Sequence, residues 1–412
     1  MELRKRRRIS SSATVSVERF LNRTEGCKNV IVFTGSGLSA ASGMSMFSTR
    51  NGLYERARKK FKIQDGIKLF TYSFYKQRRA DVQAFFAQIY SEAQASCAAP
   101  GHHALATISG LHRIKRHYTL NIDGLAEVVG IDTWHHENNP QGVTIEMHGN
   151  IRQLVCPTCH AVEPLSRTHI TTMRGLQAVP CRRCHQDEMR FKVMLYDDDQ
   201  GDCITPEHVF ETLEEDLEAA DLVLWIGISF EQSASVEYFR RVRSILASQG
   251  RLEIVQQAII NPSDDAYFNI LSSVCNIDEL RVMDVRTQAD TLLPLLASRM
   301  QAHAAGAPCP AMPGHSNGGV VDAMSGGAVS SPLNGHSSHQ LYQGAGVGSR
   351  GERDDEQAGD GPYTSSTRAV RAAARFHANV GYGELSNSDS SSSNEGGSFE
   401  FKGSGSYSSG RG

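Results

Sequence analysis

The chain has 412 residues, a formal net charge of −3, 40% hydrophobic and 21% charged residues. That length holds one large domain or two to three smaller ones, and that charge excludes a surface that seeks polyanions throughout. No apolar run approaches the ~18 residues needed to span a bilayer and no secretory leader is visible, so the chain is expected to be soluble and intracellular, without membrane contact.

In chain order the first feature is "MELRKRRRIS", where Arg4, Lys5, Arg6, Arg7 and Arg8 form a compact cationic run inside a flexible basic N-terminus, residues 1–19. It reads as a nuclear import signal, with the cytoplasm as the alternative location, and as the one stretch suited to nucleic acid. A transit peptide and a solvated tail are its other readings. From about Phe20 the composition changes. "NVIVFTG", "RHYTLNID", "ADLVLWIGIS" and "QQAIINPS" each read as a short buried strand ending in a Gly, Asn, Asp or Ser turn. "DVQAFFAQIYSEAQ" and "PEHVFETLEEDLEAA" read as helices between them. Runs buried on both faces and alternating with helices predict an α/β fold, a Rossmann-like parallel sheet whose function gathers at the carboxyl ends of its strands.

Two stretches break the alternation and are expected to form a smaller inserted module within a catalytic domain of residues 20–300. One, about 52–100, is helical ("ARKKFKIQDGIKLFTYSFYKQRRADVQAFF"). The other, about 150–196, is a zinc ribbon ("CPTCHAVEP…CRRCHQ"). Residues 301–412, rich in Gly and Ser, have too few large apolar side chains to offset their ordering entropy and are expected to be a disordered tail.

Of the nine cysteines, four are arranged as Cys156-x-x-Cys159 and Cys181-x-x-Cys184. Each pair bends the backbone so that two thiolates point the same way, and two such knuckles complete a tetrahedron. Four protein ligands leave no open position, so the expectation is one structural zinc. His160 and His185 flank the knuckles as alternative ligands. Cys27, Cys97, Cys203, Cys275 and Cys309 are scattered and read as small hydrophobes or bystanders.

Gly35-Ser36-Gly37 follows a strand and would let the backbone approach a pyrophosphate, although Gly43 comes too late for the usual GxGxxG. A tight turn is the alternative. Asn121 and Asp123 end a strand, where they either face a ribose or amide or cap a turn. His148, in "IEMHGN", is a candidate general base against the alternative of a structural histidine. The other histidines, among them His102, His103, His135 and His136, have no comparable context.

The order G-S-G-L-S, T-L-N-I-D, M-H-G, C-x-x-C…C-x-x-C, G-I-S and I-N-P-S resembles the sirtuins, NAD-dependent protein lysine deacylases, over roughly residues 20–300. The resemblance implies NAD and an acyl-lysine meeting in a cleft between the Rossmann-like domain and the smaller module. It implies Gly35, Ser36, Gly37 and Ser39 on the cofactor loop, and Phe47 over the nicotinamide end. Asn121 and Asp123 fall in the nicotinamide pocket, Gly227, Ser229 and Asn261 on the phosphate and adenosine side, and His148 is the catalytic base. In the family the acyl oxygen attacks the ribose carbon as nicotinamide leaves. The histidine then helps a ribose hydroxyl attack the imidate, and deacylated lysine and O-acyl-ADP-ribose are released.

The chain departs from the family at three places. Pro-Asp-Phe-Arg is replaced by Ser45-Met46-Phe47-Ser48, with Arg50 as a substitute cation. Thr-Gln-Asn-Ile-Asp has Leu120 in place of its glutamine. Phe-Gly-Glu reads Tyr196-Asp197-Asp198, which is expected to put a side chain where substrate peptide lies. The run Asp197-Asp198-Asp199 would favour basic partners such as histone tails. Alternative functions are a catalytically weak or silent chromatin scaffold that binds NAD or ADP-ribose, and an NAD-consuming ADP-ribosyltransferase.

Overall fold

The computed structural model describes residues 14–43, 52–186, 188–273 and 280–306. The basic run at residues 4–8, the segment 45–48 with Phe47, Arg50, Cys275, and residues 307–412 with Cys309 lie outside the described residues.

The chain opens with α1 (Val17–Thr24), whose first turn is capped by the Ser16 side chain, and enters β1 (Val30–Thr34). After the glycine turn it builds α2 (Leu53–Phe61), α3 (Tyr72–Gln77) and α4 (Arg79–Ala95). It returns through α5 (Pro100–Gly110) to β2 (Ile114–Thr119), the short α6 (Leu125–Val128) and β3 (Thr144–Glu146). A second excursion carries β4 (Gly149–Val155), β5 (Val162–Pro164), α7 (Arg167–Arg174) and β6 (Arg190–Val193). The main layer is completed by α8 (Val209–Glu218), β7 (Leu222–Ile226), α9 (Ser233–Ser248), β8 (Gln256–Ile260), α10 (Asp265–Ser273), β9 (Val282–Val285) and α11 (Ala289–Ala304).

Every residue of β1 is buried, and its side chains alternate between two cores. Ile31 and Phe33 enter one, Val30 and Val32 the other. Two-sided burial is what a central parallel strand requires. The sheet has six parallel strands in the order β3-β2-β1-β7-β8-β9. Register puts Phe33 beside Tyr118 and Trp225, and the rings stack at 4.9 and 4.3 Å. One face is covered by α8 and α9, the other by α5 and α11, which pack on each other. From β1 the order runs outward to β2 and β3 on one side and to β7, β8 and β9 on the other. The switch point therefore lies between β1 and β7, where a doubly wound sheet opens a crevice.

The insertions form the second body. β5, β4 and β6 make a three-stranded antiparallel sheet, and one apolar core joins it to the helices α2 to α4 through Phe70, Phe85, Phe86, Ile151, Leu154 and Phe191. Arg152 ties this body to the large sheet: its Nε donates to Asp123 O at 2.7 Å and its Nη2 to Ala93 O at 2.7 Å. Among the described residues no helix is long and apolar enough to cross a membrane. Cys27 and Cys203 are buried and Cys97 is exposed.

Candidate active site and metal centre

At the switch point two loops touch backbone to backbone. Gly35 N donates to Ile226 O and Gly37 N to Gly227 O, both at 2.9 Å. A Cβ on Gly37 would lie 2.7 Å from Gly227 Cα, and one on Gly227 would lie 2.5 Å from Leu38 N. Gly227 also holds φ +63°, a conformation side chains disfavour. No larger residue fits either place, so the glycines are required by the approach of the loops themselves. The side chain of Asn261 braces the second loop from behind, donating to Ile228 O at 3.2 Å.

Behind the first loop lies a buried polar relay. His102 Nδ1 accepts from Ala99 N at 3.2 Å, so in the neutral ring the proton sits on Nε2 and faces Ser39 Oγ, 3.3 Å away. Burial lowers the His102 pKa, which favours that neutral form. Ser39 Oγ donates to Asp123 Oδ2 at 2.6 Å, and the other oxygen of Asp123 caps Leu125 N at 2.9 Å. Asn121 Nδ2 donates to Gly35 O at 3.0 Å and to Ser39 Oγ at 3.2 Å. Asp123 is thus both a turn cap and a member of the relay. His102, passed over in the sequence, belongs with these residues; its one local signal is its position at the start of a Pro-led helix.

In front of the loops is a cavity of about 180 Å³. Of the residues named from sequence, Gly35, Ser36, Asn121, His148, Gly227 and Ser229 line it. Gly37, Ser39, Asp123 and Asn261 stand behind it and shape its wall. The far wall comes from the inserted body: Tyr54, Phe70, Val193, Met194, Leu195 and Tyr196. Ser233 and Ala234, at the start of the 16-residue helix α9, also face it. The residue before α9, Gln232, does not cap the helix with its side chain but accepts instead from Tyr196 Oη at 3.0 Å across the cleft. A long helix with its N-terminus on a cavity presents partial positive charge, the environment a phosphate prefers.

His148 is half-buried on this cavity, and its Nδ1 lies 3.2 Å from Leu120 O. A carbonyl cannot donate, so that hydrogen bond requires a proton on Nδ1, and the neutral ring then carries its lone pair on Nε2. The following Gly149 holds φ +80°, and a Cβ there would meet Lys192 O at 2.1 Å. The histidine is therefore fixed at the point where the large sheet passes into the inserted one.

The Tyr196-Asp197-Asp198 segment differs from its sequence reading. Asp197 takes φ +51°, the left-handed backbone that glycine would adopt without strain. Its Oδ1 accepts from Tyr72 N at 2.6 Å, so the side chain serves α3 rather than the cleft. Asp198 is buried in a two-pronged ion pair with Arg190, at 3.1 and 2.7 Å. Asp199 is exposed and pairs with Lys76 at 3.2 Å. Asp197 and Asp198 are thus engaged by internal partners, and Asp199 is the exposed member of the run.

The four cysteines converge as their spacing predicts. Sγ of Cys156 is 3.6 Å from that of Cys184, and Sγ of Cys159 is 3.7 Å from that of Cys181. A tetrahedron of thiolates at about 2.3 Å from zinc has edges of about 3.8 Å, so the set fits one structural zinc. His160 and His185 both take φ 55° just after their knuckles, with backbone N–H donated to Cys156 O and Cys181 O. Neither imidazole joins the sulfur cluster.

Comparison with known proteins places these features in context. Residues 35–234 match the Sir2 family. The NAD-dependent deacetylase sir2D of Dictyostelium discoideum is 22% identical over 55% of this chain and 39% of its own length. Human NAD-dependent protein deacetylase sirtuin-1 is 26% identical over 52% and 27%, and the NAD-dependent histone deacetylase HST3 of Saccharomyces cerevisiae 25% over 38% of each chain. The chain thus spans well under half the length of these relatives. A Sir2 homologue solved in complex with NAD superposes with a TM-score of 0.52 at 19% identity, covering 69% of this chain and 94% of that one. A triple-mutant Sir2 homologue with 2'-O-acetyl ADP ribose gives 0.51 at 21% identity, over 69% and 97%.

Proposed function

This chain belongs to the Sir2 family of sirtuins, and on that premise we propose that it is an NAD-dependent protein lysine deacylase acting in the cleft between its two bodies. The observation that carries the reading is the position of His148: it shares one cavity with the two glycine loops of the switch point, its Nδ1 held by Leu120 O at 3.2 Å. NAD would supply an electrophilic ribose carbon with nicotinamide as leaving group. Gly35, Ser36, Gly227 and Ser229, with the N-terminus of α9, would hold its phosphates. Asn121 would present its side chain to the nicotinamide end, with Ser39 and Asp123 keeping that side chain in place, and Asn261 would brace the adenosine side. His148 Nε2 would take a proton from a ribose hydroxyl once acyl transfer has begun. Zinc at Cys156, Cys159, Cys181 and Cys184 would brace the far wall. Phe47, expected over nicotinamide, lies outside the described residues.

The reading of Asp197 favours a peptide substrate over other acceptors. Its side chain turns to α3, so it does not obstruct the groove, while the backbone of Tyr196 is already paired within the inserted body, with Phe70 O and Tyr72 N, both at 2.8 Å. Substrates of histone type, and a nuclear location, are supported by the histone deacetylase name of one relative and by the basic run at residues 4–8.

Incubating the full chain with NAD and an acetyl-lysine histone peptide, while following nicotinamide and deacetylated peptide, tests the proposal. Equal amounts of the two products, both dependent on peptide, are expected. Nicotinamide release without peptide would replace deacylation by transfer to another acceptor, and NAD binding without release would leave a silent scaffold.

A further inference from the structure

Outside the cleft, three side chains that the proposed reaction does not use converge at one edge of the large domain. His136 lies on the loop between α6 and β3. Glu207 and His208 come from the turn that leads into α8. The ligating atoms of all three lie within 4.8 Å of one another. His136 Nε2 and Glu207 Oε2 are 3.8 Å apart. That is too long for a hydrogen bond, yet two donors each about 2.1 Å from one ion stand about 3–4 Å apart. The ring of His208 sits 5.3 Å from that of His136 at 65°.

The surroundings hold this arrangement in place. The His136 ring stacks on His135 at 4.8 Å and lies 6.3 Å from the ring of Trp134, which is 5% exposed. His208 takes φ 59° immediately before α8, which explains why the helix starts at Val209 rather than at the preceding proline. Nothing local in the sequence brings these residues together: the two segments meet because α8 is anchored to β2, where Arg116 Nε donates to Asp216 Oδ2 at 2.9 Å.

We propose that His136, Glu207 and His208 form a second divalent-metal site, separate from the four thiolates, that takes ions of the zinc class. Two imidazoles and one carboxylate are the donor set of open zinc sites, with remaining positions left to water. Nitrogen donors also select transition metals over magnesium and calcium. An ion there would tie the loop before β3 to the start of α8. A simple ion pair is the competing account; it involves His136 with Glu207 and Glu137, the latter at 3.9 Å, and makes no use of His208.

Equilibrium dialysis of the zinc-loaded full chain against free zinc, with elemental analysis, reads the stoichiometry directly. Two zinc ions per chain are expected in the wild type and one in His136→Ala and in His208→Ala. His208 is exposed, so its replacement leaves the fold in place, and circular dichroism checks that. Cobalt(II) added to the zinc-loaded chain is expected to bind without a thiolate charge-transfer band. A wild-type stoichiometry of one, two ions retained in both variants, or a thiolate band from the added cobalt would each overturn the assignment.

Discussion

His117 and His148 stand near the ends of neighbouring segments, and their surroundings fit them for different tasks. His117 is 2% exposed, with Nε2 2.8 Å from Thr34 Oγ1 and Nδ1 3.2 Å from Thr144 Oγ1. Among the described residues no carboxylate bonds to it, and burial pushes its pKa down to about 3. An imidazole with a depressed folded pKa binds its proton more readily when unfolded, so its contribution to stability is complete above the ordinary value near 6.5 and is lost as pH falls toward 3. One pKa unit corresponds to about 1.4 kcal/mol, so this residue alone should remove about 2 kcal/mol of stability between pH 7.5 and pH 5. Urea unfolding at those two pH values is expected to give a clearly smaller difference for His117→Gln than for the wild type. Identical differences would show that His117 does not govern the acid sensitivity. His148, by contrast, is half-buried on the cavity, with Nδ1 3.2 Å from Leu120 O.

At the scale of elements, the inserted body depends on one buried charge pair. Arg190 on β6 bonds Asp198 with both prongs, and its guanidinium also lies 5.3 Å from the rings of Tyr72 and Tyr75. The pair therefore fixes β6 to α3, on the side of the cleft that Tyr196 lines. Asp198→Ala would leave a buried guanidinium uncompensated, a change worth about 3–5 kcal/mol. A fall in melting temperature of many degrees is expected, and a variant as stable as wild type would contradict this role. This pair also shows where sequence reading ends. β1 and β7 were legible because strands buried on both faces are continuous apolar runs, β2 and β8 because a short run ends in a turn signal of Asn, Asp, Pro or Ser, and the zinc ribbon because ligand spacing is a local geometric demand. β3, with three residues, and β9, interrupted by Asp284, carry too little pattern to stand out. Asp198 read as part of an acidic run suited to basic partners because its own partner, Arg190, is set by packing, and Asp197 looked obstructive because its backbone angle cannot be read from residue type. His102 was missed for the same reason: Ser39 and Asp123 meet it only after the sheet has formed.

At the scale of the molecule, the account rests on two bodies meeting over the switch point of a parallel sheet. The large body supplies glycine loops whose close approach excludes any side chain, together with the N-terminus of α9. The inserted body supplies an apolar wall, braced by four thiolates and by the buried ion pair. The two are bridged at the cleft by Tyr196 and Gln232, at 3.0 Å, and behind it by Arg152. His148 stands at the seam. The most direct measurement compares wild type and His148→Ala in two readouts: NAD binding by calorimetry, and deacetylated peptide formed under single-turnover conditions. The account predicts that the variant binds NAD within a few-fold of wild type while peptide turnover falls by at least the ~10²–10⁴-fold typical of losing a general base. Turnover that survives the substitution would contradict it.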